Sequence, residues 1–560
     1  MRRFIIAMAI VTIGVGPVLG YEVQLSGNYC WSYESAVQLG NDGFFGLYDV
    51  DRSGQDGGIG YYAPYNGWLG YRLRISSGSK GSQALMSATF YPHVKINPSV
   101  GVTGRYRIAP WNIWNGENYL VGTSQGVGVP LATGHWTLWS LYARTPWGTV
   151  FYGKRPLEVG CGLQYDGTSN TTDESLVLRA DYGPLAIGLG FMPWYDGREI
   201  TTGVYPGWSW PWVGETLYGN RTDNNRTVTY RIRASVTYAN ATSEFGVGCI
   251  DTSLHQGPEL SPATPWANYR YQVPPVDTHI NEGWAYLKFN NGRAFFNTEL
   301  DWYSRMDKVG RSLDGTFNGT PENTDGGGSI FAPKYIESWR WMAELGVISG
   351  PAKATLFYAY LPGRDLRHGI FVSKQPRVQD GILTNATMFS QYSMLLSGSY
   401  GAGINAVDVS WNPYMNEASC VAARIDYSLA ANLNLFATGF HATRTSHGYG
   451  WGFLNLGLYS FEEYAVYHRL RGTFTEPCPT IPDNDLGWEV NVGVGWDFLD
   501  SWNFTARFGY WRPGRWFNYA CIDRGVQDWD TPGPANNWGV NPNRKIDPVI
   551  GLFMQMTTNF

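Results

Sequence analysis

Two short stretches of the chain carry oxygen-bearing residues at spacings that chemistry can use. In DVDRSGQDGG (49–58), Asp49, Asp51 and Ser53 stand at the first, third and fifth positions with Gly54 behind them, the donor spacing of the front half of a calcium loop. Asp56 could add an oxygen by a different geometry. The bidentate acid that such a loop needs at position twelve is missing, because that position is Gly60. An ordinary Asp- and Gly-rich surface turn is the simpler reading, and a structural calcium ion on Asp49, Asp51, Ser53 and Asp56 is the one metal expectation; no other cofactor is expected. GTSQG (122–126) formally fits the G-x-S-x-G nucleophile elbow. That motif needs a strand-to-helix turn to strain and expose the serine, and no helical pattern follows Ser124. The match is therefore read as chance, and the chain is not expected to be an enzyme.

The sulfur and imidazole groups add little. Eight histidines show no ligand spacing, and six cysteines include neither C-x-x-C nor a haem motif, which argues against a redox carrier. Cys30, Cys161, Cys249 and Cys420 fall in or beside apolar runs and read as small buried residues. Cys478 and Cys521 fall in late polar stretches of an exported chain, where an oxidising compartment permits a disulfide between them.

Charge placement is more informative. Wherever apolar and polar residues alternate, the polar face carries Lys95, Arg105, Arg107, Arg179, Arg231, Arg233, Lys288, Arg340, Lys353, Arg424 and Arg507. The same face carries Glu22, Asp181, Glu299, Asp301, Glu344, Asp426, Glu489 and Asp497. Eleven basic side chains against eight acidic ones reverse the sign of the whole chain, whose net charge is -5. Glu22, Asp181, Asp426 and Asp497 stand at strand ends, which leaves mid-height more basic still. Charges ringed on a narrow wet wall set ion preference, here a mild one for anions. The alternative is that the arginines pair with Glu299, Asp301, Glu344 and Glu489 and simply stiffen the wall.

Such faces need elements to position them, and VTYRIRASVTY names the kind. Val228, Tyr230, Ile232, Ala234, Val236 and Tyr238 share one side, Thr229, Arg231, Arg233, Ser235 and Thr237 the other, the period-2 pattern of a strand. Arginines cannot turn into a dry core, but they can line a wet lumen while the apolar side meets lipid. The ending GLFMQMTTNF repeats the pattern up to Phe560, and WEVNVGVGW repeats it again. Composition agrees: 25 Trp, 37 Tyr and 69 Gly with only 16% charged residues favour β structure. Residues 1–20 read as a cleaved export signal, with basic MRR, a short apolar core and a Gly16-Pro17 break. No second long apolar run exists, so a helical membrane protein is excluded. The remaining chain is acidic, so no nucleic-acid partner is expected.

Turn formers punctuate the alternating runs at NPS (97–99), TPW (145–147), GP (183–184), ANAT (239–242), NNG (290–292), SGP (349–351), AAN (430–432) and LDS (499–501). Between these tight turns lie long polar stretches, roughly 34–82, 110–134, 156–174, 194–225, 252–280, 304–334, 362–415, 445–485 and 513–545. Strict alternation of short and long connections predicts a closed antiparallel transmembrane β-barrel, one domain over 21–560, with short periplasmic turns and long outer loops. Eight hairpins plus a first and a last strand give eighteen strands, with sixteen as the alternative count.

A chain with an export signal, amphipathic strands, alternating connections and a terminal Phe resembles the Gram-negative outer-membrane porins. GTVFYGKRP (148–156) is similar to the G-x-x-x-x-G-R end of the fifth strand in general porins, with Lys154-Arg155 at that place. The resemblance implies that the following loop, 156–174, folds into the pore. It also implies that Phe560 is read by the barrel-assembly machinery. The expected setting is the outer membrane, against lipid and lipopolysaccharide, with a homo-oligomer and passive diffusion of small hydrophilic solutes among the implications. Two rivals stand beside this reading: a substrate-selective channel for carboxylates or anionic polysaccharide, resembling alginate-export porins, and a barrel scaffold for partner proteins. Lipid-side aromatics (Tyr29, Trp31, Tyr33, Tyr238, Trp302, Trp339, Trp341, Trp488, Trp496, Tyr510) are expected to form interfacial girdles. Few aromatics are expected in the lumen, with Phe295, Tyr303 and Phe357 the best candidates.

Overall fold

The computed structural model describes residues 21–39, 50–51, 59–60, 72–73, 80–112, 135–163, 172–192, 195–196, 226–256, 259–260, 272–273, 276–309, 334–361, 389, 391–396, 418–445, 483–515 and 548–560. The export signal, Ser124, Cys478, Cys521, Asp49, Ser53 and Asp56 lie outside these residues. Asp51 is described only as backbone, pairing with Arg72.

Eighteen long strands build one sheet: β1 (Glu22–Gln38), β2 (Lys80–Lys95), β3 (Val100–Asn112), β4 (His135–Thr145), β5 (Gly148–Pro156), β6 (Thr172–Tyr182), β7 (Leu185–Met192), β8 (Arg226–Ala239), β9 (Ser243–Gln256), β10 (Val276–Asn290), β11 (Ala294–Val309), β12 (Lys334–Ser349), β13 (Ala352–Tyr360), β14 (Ala418–Ala430), β15 (Leu433–Arg444), β16 (Asp485–Leu499), β17 (Trp502–Pro513) and β18 (Val549–Asn559). Each pairs antiparallel with its chain neighbours, and β18 pairs with β1, so the sheet closes without an edge. The closing register sets Tyr29 against Thr558 and Tyr33 against Met554. Phe560 completes it: its N–H donates to the Gly27 carbonyl at 3.0 Å, and the Gly27 N–H donates to its carbonyl at 2.8 Å. The Phe560 ring lies edge-on to Phe90, over the space that the missing side chain of Gly27 leaves open.

All eight tight turns occur where the turn formers stand. Three are tied by asparagine. The Asn97, Asn240 and Asn291 side-chain oxygens accept N–H bonds from residues two and three ahead, at 2.8–3.0 Å, the Asx geometry that favours this residue in turns. Several strands run further outward than their alternation suggests, β9 to Gln256 and β11 to Val309. Beyond the lipid a paired ribbon keeps its hydrogen bonds while nothing constrains its side-chain pattern.

The outward face is an unbroken apolar band. Ile232, Val247, Leu300, Leu345, Leu356, Ile425, Val492 and Phe508 all point away from the lumen with 41–60% of their surface exposed. A continuous patch of this kind is untenable in water and natural in lipid. Aromatic pairs flank it at two levels: Trp302 with Trp339 and Trp488 with Tyr510 toward the long loops, Tyr238 with Phe245 and Phe498 with Trp502 toward the turns. The protein is a transmembrane barrel of the kind that single-chain outer-membrane proteins form.

Candidate functional site

The lumen is where the polar side chains converge, and among the described residues two loop segments enter it. The first follows β5. Leu157 and Val159 pack on Ile250 of β9 and Trp284 of β10, with Tyr286 alongside. Gly160 and Gly162 turn the chain with φ of 56° and 83°. The Cys161 and Leu163 N–H groups then donate to Glu299 Oε2 on β11, at 2.5 and 3.4 Å. Burial, and then the Glu299 charge, push the Cys161 thiol up to about 12, so it is a poor nucleophile at neutral pH. A loop after the fifth strand that folds into the pore is thus found over 157–163.

The second segment was not anticipated. Residues 389 and 391–396 belong to the stretch 362–415, expected to be wholly external, yet Phe389, Tyr392 and Ser393 are fully buried inside the barrel. One carboxylate organises them. Glu489 of β16 accepts from Ser393 Oγ at 2.8 Å and from the N–H groups of Met394, Leu395 and Leu396 at 2.6, 3.0 and 2.7 Å. The Tyr392 carbonyl accepts from Thr438 Oγ1 at 2.9 Å and Asn491 Nδ2 at 3.1 Å. Its hydroxyl donates to Glu344, and its ring stacks on Phe357 at 4.5 Å. Arg424 chelates Asp426 and donates to the Gln391 carbonyl at 2.7 Å. Loop backbone inside a barrel must have its N–H groups paired, and a carboxylate can serve several at once. A signal was present in FSQYSMLL (389–396), an apolar cluster that water would not tolerate in an outer loop.

The lumen also holds more aromatics than expected, a correction with a physical cause. Tyr142, Trp284, Tyr286, Phe295 and Phe436 stand directly opposite Gly101, Gly248, Gly246, Gly346 and Gly493 on a neighbouring strand. Each ring lies over its glycine, filling the place of a Cβ. Three of them reach a cation one strand further on: Trp284 meets Arg233, Phe295 meets Lys353 and Phe436 meets Arg507, at 4.5–5.7 Å from ring centroid to charge. These rings are plates on the wall, with their faces covered by charge. Tyr303, Phe440, Trp511 and Phe553 are buried there too.

Apart from Arg107, the predicted lumen charges stand at inward register positions, and the structure sorts them. Glu299, Asp301, Arg340, Glu489 and Arg507 are buried, the three acids with no exposed surface. Ion pairs at the turn end join Lys95 to Glu22 at 3.6 Å and Arg179 to Asp181 at 3.1 Å; Lys288 pairs with Glu244 at 3.7 Å. Of the acids expected to pair with arginines and stiffen the wall, Asp301 stands opposite Arg340 on β12, whereas Glu299, Glu344 and Glu489 bind loop segments. Arg105 opposes Leu138 on the inward face, and Arg231 and Arg233 are partly exposed on β8. Arg107 pairs with His135 through its backbone; its side chain lies outside the described residues. Among the described residues no cluster of three or more metal-ligating side chains occurs.

No protein-family model matches the chain, and no curated protein does. Solved structures do resemble it. OpdL of Pseudomonas aeruginosa is similar over 96% of this chain and 99% of its own, at 9% identity and a TM-score of 0.43. OccK2 (OpdF) of the same organism, in complex with glucuronate, is similar over 96% of both chains at 10% identity, TM-score 0.41. OmpT, an outer membrane protein of Vibrio cholerae, covers 96% of this chain and 98% of its own at 9% identity, TM-score 0.32. The closure, strand count and register described above stand independently of these likenesses.

Proposed function

We propose that the barrel is a water-filled channel of the outer membrane through which small hydrophilic solutes diffuse passively, with a mild preference for anions. One observation carries the charge preference. Three mid-height acids, Glu299, Asp301 and Glu489, are withdrawn from the lumen surface against two cations, Arg340 and Arg507, whereas Arg231 and Arg233 keep part of theirs. The water path therefore meets more positive charge than a count of inward residues gives. In a wet lumen each charge contributes on the order of 1 kcal/mol or less, over a Debye length of about 8–10 Å. The two loop segments support a second reading, a substrate-selective channel for carboxylates or anionic polysaccharide, since they narrow the lumen where the charges lie. The wider setting of lipid, lipopolysaccharide, assembly machinery and a homo-oligomer belongs to the same proposal, and so does the absence of an enzymatic role.

Planar-bilayer recording tests it. Replacing Arg231 and Arg233 by Gln keeps length and polarity, and the reversal potential in a KCl gradient should then move toward cation selectivity with folding unchanged. High salt should blunt the difference. An unmoved reversal potential would remove the anion preference. A wild-type barrel that passes almost no current would favour a scaffold for partners.

A further inference from the structure

We propose that Glu489 is a positioning residue for conduction: its one carboxylate keeps the 393–396 segment flat on the wall and so keeps the lumen open. The inference rests on the channel reading above. Three successive N–H groups and the Ser393 hydroxyl converge on this carboxylate within 2.6–3.0 Å. Consecutive N–H groups of this kind form a receptor for an anion, and here the anion is the protein's own side chain, fully enclosed. All four bonds go to a charged acceptor, the strong class of hydrogen bond.

The other attachments of the segment differ in kind and place. Tyr392 is fixed three ways, by its stack on Phe357, by its carbonyl on Thr438 and Asn491, and by its hydroxyl on Glu344. None of these reaches residues 394–396. Their side chains lie on a glycine patch of the wall: a Cβ built on Gly509 would fall 2.7 Å from Met394 Cε, and one on Gly551 would fall 2.6 Å from Leu395 Cδ2. Glycine there gives room for the side chains. The segment is thus hinged at Tyr392 and latched at Glu489. An unlatched segment leaves the wall toward the water path and interrupts the current.

Glu489→Gln keeps the size and removes the charge, and its amide nitrogen turns a donor toward donors. Losing charge-assisted bonds of this class shifts the latched-to-released ratio by about tenfold or more. Leu396 is buried, so in a Leu396→Cys barrel a lumen-borne thiol reagent reacts only when the segment lifts. Its reaction rate should rise about tenfold when Glu489→Gln is added, and single-channel records should show brief closures about tenfold more often. A lock supplies the control. A Cβ on Gly551 would lie 3.2 Å from Leu395 Cγ, which places cysteines at 395 and 551 within bridging reach. Oxidising that pair in the Glu489→Gln background should restore steady current, and reduction should bring the closures back. Equal reaction rates at 396 with and without Glu489, or closures that persist under the lock, would overturn the proposal. Should Glu489→Gln not reach the folded, heat-modifiable form, Glu489→Asp keeps the charge, shortens the reach and carries the same test with a smaller rise. If the wild-type barrel passes no current the channel reading fails, while the reaction rate at 396 still decides the latch.

Discussion

Gly160→Ala measures how strongly the first loop segment holds to the wall. Gly160 has φ of +56°, and a Cβ there would stand 2.7 Å from Glu299 Oε2 and 2.9 Å from Tyr286 Cγ. Gly183, in the turn between β6 and β7, has nearly the same φ of +62° and nothing within 4 Å. Alanine at either site incurs the left-handed backbone cost, roughly 1–2 kcal/mol. Only at 160 does it also press on the carboxylate that receives the Cys161 and Leu163 N–H groups. Losing one hydrogen bond to a charged group costs about 1.5–3 kcal/mol. The difference between the two variants therefore shifts the lifted population of the loop by about tenfold or more.

Cys161 reports that population, since its thiol is held un-ionised in place and regains ordinary acidity when the loop lifts. Alkylation of folded barrels at pH 8, with the 161 peptide resolved by mass from those of the other five cysteines, should run at least about tenfold faster in Gly160→Ala than in Gly183→Ala. The pH dependence has a fixed sign. The seated thiol titrates at about 12 and a free one near 9, so the lifted state ionises first as pH rises. Loop attachment is full below about 9 and weakens progressively toward 12. Equal rates in the two variants would mean that Glu299 does not hold the segment. A loop that tightened at alkaline pH would refute the linkage.

Two further outcomes test the frame. Deleting Phe560 removes two backbone hydrogen bonds to Gly27 and the edge contact with Phe90, so folded barrel in the outer membrane should fall while export continues; surface levels equal to wild type would make the closing residue incidental. Cysteine at Arg515, exposed beyond β17, should react with an impermeant label on intact cells and cysteine at Asn291 should not; the reverse pattern would invert the barrel.

The wall was legible because barrel geometry writes itself at period 2. Arg231 and Arg233 had to share a face opposite Ile232, and NNG had to turn, whatever the rest of the chain did. The loops were legible only where a strand end announced them, as GTVFYGKRP did for 157–163. Nothing periodic marks FSQYSMLL, and its partner Glu489 lies about 95 residues away in sequence. The lumen aromatics were missed for another reason. Single-face alternation identifies Trp284 and Phe436 as inward, but that each covers a glycine depends on register between strands, here Gly248 with Trp284 and Gly493 with Phe436. Counting inward glycines directly opposite inward aromatics would have found them.

These two unforeseen features answer one constraint. A barrel wall around a wet lumen must present polar groups to water, yet loops laid on it need attachment that water does not dissolve. Flat rings over glycines lower the wall relief, and their charged neighbours keep that surface from drawing other apolar groups. Attachment then falls to carboxylates that can be enclosed, because an enclosed anion ringed by N–H donors gains from the dry surroundings that penalise it when unpaired. Three of them act in a line. Glu489 takes the 394–396 backbone, Tyr392 passes from that segment to Glu344, and Asn297 donates to Glu344 at 2.6 Å from the same face of β11 that carries Glu299. Glu299, Glu344 and Glu489 thus hold loop segments, Arg424 adds the Gln391 carbonyl from the opposite sign of charge, and Arg231 and Arg233 keep part of their surface in the lumen.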